Sequence, residues 1–185
     1  MNDFLKNKAF LILAISACLL SQLSAADTSL SAVQALKDSG RPDLLSGLAE
    51  IKAKDGVPQP SEWIVLCNDP SAHGGVRELT ISNGHIVSER TPMGEFAGEG
   101  ELPHLTVTPT TLDSGAVFKI VDREAKAARI GFDSINYILR VDAISGKPLW
   151  IVQLYKTSGA PPVGTMELSA ETGEILKPLP RKGGS

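Results

Sequence analysis

Few residues of this chain combine a reactive type with a usable spacing. Cys67 closes the apolar run Trp63-Ile64-Val65-Leu66-Cys67. A thiol becomes a nucleophile or a metal ligand as its thiolate, and no second cysteine or paired histidine lies close in sequence to lower its pKa. Cys67 therefore reads either as a small buried hydrophobe or as a reactive thiol open to an intermolecular disulfide, and the strand pattern described below favours the first. His73, His85 and His104 lie 12 and 19 residues apart, without the close pairs that metal sites use. The carboxylates Glu95, Glu99 and Glu101 lack the alternating Asp/Asn spacing of a calcium loop.

Catalytic signatures are equally sparse. The chain has no Gly-x-Ser-x-Gly elbow and no cysteine–histidine signature. No Walker loop or Gly-x-Gly-x-x-Gly follows a strand pattern. The glycine-bearing stretch Gly94 to Gly100 is acidic, the wrong sign for cradling phosphate. The expectation is a non-enzymatic protein with no cofactor and no metal site.

Around these residues, 185 positions with 42% hydrophobic and 21% charged composition fit one domain of ordinary size or two very small ones sharing a core. Lys6 and Lys8 precede an apolar run from Ala9 to Leu20 and the small residues Ser24-Ala25-Ala26. That order is the pattern of a secretory signal peptide over residues 1–26, and the run is too short for the roughly 20 residues of a membrane span. Ile15-Ser16-Ala17-Cys18 also has the form of a lipidation box, so two outcomes stand open: a periplasmic or secreted chain, or a lipoprotein anchored through Cys18. The net charge of −3 becomes one unit more negative when Lys6, Lys8 and Asp3 leave, which argues against nucleic acid as a partner. If Cys18 leaves as well, Cys67 has no intrachain disulfide partner.

The elements follow from periodicity. Ser29 to Lys54 reads as helical in two pieces broken at Gly40-Arg41-Pro42, with Leu44, Leu48 and Ile51 forming the stripe of the second piece. A better marked helix begins at Thr110-Thr111-Leu112-Asp113, carries Leu112, Ala116, Val117, Ile120, Val121, Ala125 and Ala128 on one face, and stops at Gly131. Ile135–Val141, Leu149–Tyr155 and Val163–Leu168 alternate as strands. Thr91 to His104 is rich in Gly, Pro and Glu and reads as a solvated linker.

One phrase occurs twice. At an offset of 87 residues, positions 63–82 and 150–169 match at six of 20 places, where roughly one is expected from composition. Asn83-Gly84-His85-Ile86-Val87 then parallels Thr172-Gly173-Glu174-Ile175-Leu176. Alternation puts Trp63, Val65 and Cys67 on one face, matched by Trp150, Val152 and Leu154; Tyr137 and Leu139 join the same core, as do Met166 and Leu168. The expected fold is α+β: two repeated units, each a helix plus an antiparallel β-meander, with one shared sheet as one arrangement and two packed domains as the other. The boundaries are 27–90 for the first half, 91–106 for the linker, 107–179 for the second half and 180–185 for a tail.

The second half resembles a PepSY domain over residues 110–178. The likeness lies in the strand with Tyr137 that ends at Val141-Asp142, in the Ser145-Gly146 turn, and in Leu168-Ser169-Ala170-Glu171-Thr172-Gly173-Glu174-Ile175-Leu176. That last phrase is similar to the family's closing Asp-x-x-Thr-Gly-Glu-Val/Ile-Leu, with Ser169 in place of the usual aspartate. The first half is read as a degenerate copy. The resemblance implies a cystatin-like fold and extracytoplasmic binding, since similar domains occur in metallopeptidase propeptides and small exported proteins; it implies no catalytic residues. The functional expectation is a binding module acting on an envelope protein, a peptidase among the candidates, with the hairpin loops at Asp69, His73, Ser158 and Pro161 as contacts. A carrier or sensor for a small ligand or metal, and a plain structural component, are the other readings.

Overall fold

The computed structural model describes residues 27–92 and 101–180. The signal and lipidation motifs, residues 93–100 of the linker and residues 181–185 of the tail lie outside the described residues. Two helices open the first half, α1 (Ser29–Asp38) and the single-turn α2 (Pro42–Ser46), followed by β1 (Leu48–Gly56), β2 (Trp63–Asn68), β3 (Val76–Ser82) and β4 (His85–Arg90). The second half has α3 (Ser114–Ala128), β5 (Ser134–Val141), β6 (Pro148–Tyr155), β7 (Gly164–Ser169) and β8 (Ile175–Lys177). All eight strands join one antiparallel sheet in the order β4-β3-β2-β1-β5-β6-β7-β8. The architecture is α+β.

The central seam is β1 against β5, where Glu50 faces Arg140, Ile51 faces Leu139 and Ala53 faces Tyr137. This pairing corrects the helical reading of Leu48 to Lys54. Helix α2 ends at Ser46, and Leu48, Ile51 and Ala53 belong to a strand. A register shift between Leu48 and Glu50 inserts one residue, so Leu48 and Ile51 reach the same core although they are three apart. Helix α3 also ends earlier than expected. Its last turn closes on Arg129, left-handed at φ 58°, two residues before Gly131, and its side-chain cap is Asp113.

One sheet face carries the helices. Trp63, Tyr137 and Trp150 are fully buried there, with ring centroids 6.0–6.5 Å apart, in tilted and edge-on arrangements favoured by aromatic quadrupoles. Each indole is tied to the residue before a helix cap: Trp63 Nε1 donates to Asp27 O and Trp150 Nε1 to Leu112 O, both at 3.0 Å. The helix starts also meet. Ser29 N donates to Ser114 Oγ (3.2 Å) and Ser114 N to Ser29 Oγ (3.1 Å). Asp113 Oδ1 accepts from Ser29 Oγ, Leu30 N and Ser114 N, so one carboxylate satisfies free N–H groups of both helices. Val65, Cys67, Leu139, Val152, Leu154, Met166 and Leu168 complete the core with the helical Val33, Leu36, Val117 and Val121.

Candidate functional site

The loops expected to make contacts lie at opposite ends of the sheet, because β2–β3 and β6–β7 turn in opposite senses about the β1–β5 seam. His73, Ser158 and Pro161 are exposed. Asp69 is buried and engaged: its Oδ1 accepts from Ser71 N (2.8 Å) and Ser71 Oγ (2.6 Å), and its Oδ2 from Arg77 Nε (2.5 Å). The Ser71 hydroxyl first, then Arg77, hold its carboxyl down at about 2. Arg77 also reaches Glu89, which in turn pairs with Arg41. Asp69 thus fixes the β2–β3 turn and does not present a free carboxylate to a partner.

Cys67 is fully buried in the same core as Trp63, Val65 and Leu79, and burial pushes its thiol up to about 12. Because the folded value lies above the model-compound 9.0, the thiol favours the fold below pH 9 and loses that contribution as pH rises towards 12. Modification of the native protein by a thiol reagent at pH 8 is expected to run at least about a hundredfold slower than in denaturant, since it must wait for opening of the core. Equal rates would refute the core assignment.

Among the described residues no three His, Cys, Asp or Glu side chains are grouped as a metal-binding set. His104 pairs with Glu101 at 2.9 Å on the surface, while His73 stands exposed in the β2–β3 turn and His85 exposed at the start of β4.

The face that carries no helix among the described residues holds a more structured feature, a solvent-open groove of about 400 Å³ across β1, β5, β6 and β7. Strand alternation aims Glu50, Arg140, Leu149, Ile151 and Glu167 onto this face, opposite the core-facing Ile51, Leu139, Trp150, Val152 and Leu168. One wall is the chain at Leu102–Pro103. The buried Asn68 holds it there, donating from Nδ2 to Leu102 O (2.8 Å) and accepting Leu102 N–H at Oδ1 (2.9 Å). A little further on, Leu105 N donates to Leu48 O and the Leu105 side chain is buried. The end of the expected linker is therefore a strap fastened to the sheet.

The opposite wall is the β5–β6 hairpin. Asp142 organises it, accepting Ser145 N–H at 2.9 Å while its backbone bonds to Lys147 and Gly146. The bonds from Ser145 lower the carboxyl of Asp142 below the ordinary range. This turn lifts Ile144 to the rim, where it is 97% exposed. A second depression of about 430 Å³ adjoins the groove and shares Asp142 and Leu149 with it.

The alternation that puts Tyr137 and Leu139 in the core puts Arg140 and Asp142 on the opposite face. The missed signal was apolar: Leu66, Leu149 and Ile151 occupy positions of that same face, where solvent-facing strands ordinarily carry polar residues. Leu102 could not be found by periodicity, because its place depends on Asn68, 34 residues away.

Compared with known proteins, the chain matches no family model, and no curated protein and no solved structure is similar enough to count as a match.

Proposed function

We infer that this chain is a non-enzymatic binding module exported to the cell envelope, built from two PepSY-like copies of one helix-plus-meander unit whose sheets join at the β1–β5 seam. The reading of two copies draws support from the paired tryptophan anchors, Trp63 to Asp27 and Trp150 to Leu112, and from the reciprocal Ser29–Ser114 bonds at the two helix starts. The binding reading rests on one contrast. Between helices and sheet the space is filled by fully buried side chains, whereas the opposite sheet face keeps an open, partly apolar groove with an exposed isoleucine at its rim. A filled core favours recognition of a macromolecule at the surface over carriage of a small ligand inside.

The partner in this reading is another envelope protein, and a peptidase held in check is the variant that the PepSY likeness favours. The immobilised chain, incubated with an envelope extract of the source cells, is expected to retain a stoichiometric partner. If that partner is a peptidase, its activity falls on adding the chain. A bait that retains nothing specific overturns the reading and returns weight to a structural role.

A further inference from the structure

The groove has an uneven charge balance. Four charged residues line it: Glu50, Arg140, Asp142 and Glu167. Glu50 pairs with Lys52 at 3.2 Å, Glu167 with Lys177 at 3.2 Å, and Asp142 is held by Ser145. Arg140 is exposed and, among the described residues, has no carboxylate within 4.0 Å, although Glu50 is its cross-strand neighbour. Asp142, two residues along, acts on Arg140 only through space. A guanidinium with no ion pair within 4.0 Å among the described residues, beside Leu66, Leu102, Leu149 and Ile151, offers a planar fork of donors to an incoming anion, and a carboxylate matches that fork in a bidentate pair.

We propose that the groove takes the C-terminal end of an extended peptide, its terminal carboxylate on Arg140 and its last apolar side chains against the half-buried Leu102 and Ile151, above the buried Leu66 and Leu149. This rests on the binding-module reading and specifies its ligand. The carboxylates of Glu50 and Glu167 decide between a peptide end and a fatty acid. Each keeps acceptor capacity beyond its single lysine, which peptide N–H groups can use. A hydrocarbon tail laid on them would strip water from both without replacing its hydrogen bonds. The volume of about 400 Å³ lies in the range of ligand sites, and Ile144 at the rim gives an apolar side chain further along the peptide a surface to cover.

The test is fluorescence anisotropy with the purified chain and a set of labelled peptides ending in two apolar residues, each prepared as the free acid and as the amide. Free acids are expected to bind saturably and at least about tenfold more tightly than the amides, the worth of a charge-assisted hydrogen bond. Arg140→Gln removes that preference, Arg140→Lys restores part of it, and Ile144→Ser weakens acid and amide alike. Arg140 is exposed, so these variants should melt with the parent; the lysine variant serves if the glutamine one does not. The proposal fails if no peptide in the set binds, if acid and amide bind equally, or if decanoate alone binds in an Arg140-dependent way. It also fails if the signal follows self-association of the chain that peptide does not compete away. Envelope capture separates the two levels: a partner retained equally by Arg140→Gln leaves the binding module standing without the peptide end, whereas a parent chain that retains nothing removes the module itself.

Discussion

Gly47→Ala is expected to destabilise the protein by about 3 kcal/mol or more, a large loss for one added methyl group. Gly47 links α2 to β1 and is buried, and its backbone runs directly against the end of β2. Its carbonyl accepts the N–H of Asn68 at 2.7 Å. A Cβ at Gly47 would stand 2.1 Å from Asn68 O and 3.1 Å from Asn68 C, both backbone atoms that no rotamer change can move aside. Relief requires separating β1 from β2, and that also disturbs the Asn68 side chain that fastens Leu102 to the groove. Gly40→Ala is the comparator. Gly40 adopts φ 69° with nothing within 4 Å of an added Cβ, so its cost is the backbone penalty alone, about 1 kcal/mol. Chemical denaturation of the two variants decides the matter: losses of equal size would mean that the close approach at Gly47 is not what the site requires.

Strands whose core residues alternate without interruption are readable from the sequence, and this describes β2, β3, β5, β6 and β7. Trp63, Val65 and Cys67 face inward in perfect alternation, as do Trp150, Val152 and Leu154. Strand β1 escapes that reading for a physical reason. Its bulge brings Leu48 and Ile51 to one core at a spacing of three, and with Leu44 before them the apolar positions imitate a helix. Only pairing with β2 and β5, remote in sequence, selects the extended form. The groove follows the same logic. Arg140 is assigned to the outer face by period two alone, but its neighbours Glu50 and Leu66 arrive from strands some 70–90 residues earlier, and the Leu102 wall depends on an asparagine clamp. The hairpin at Asp69 was legible as a turn, whereas its carboxylate proved committed to Ser71 and Arg77.

Trp150→Ala is expected to cost about 4 kcal/mol, by leaving a cavity where a fully buried ring stood. Three losses combine at this position. The ring leaves its edge contacts with Trp63, at 6.5 Å, and Tyr137, at 6.2 Å. The carbonyl of Leu112 loses its indole donor just before the cap of α3. The apolar contacts with β5 and β7 around Leu139 and Leu168 go with them. Trp150→Phe separates these contributions, since it keeps most of the ring and gives up the hydrogen bond, at a cost of about 1–3 kcal/mol. Trp63→Ala removes the corresponding anchor to Asp27, so a loss of similar size is expected there. Because the two indoles touch within one core, each substitution should lower the midpoint of a single cooperative unfolding transition, followed by tryptophan fluorescence in urea. If Trp63→Ala shifted one transition and Trp150→Ala a separate one, the halves would be unfolding independently, and the continuous β1–β5 seam would not be what holds them together.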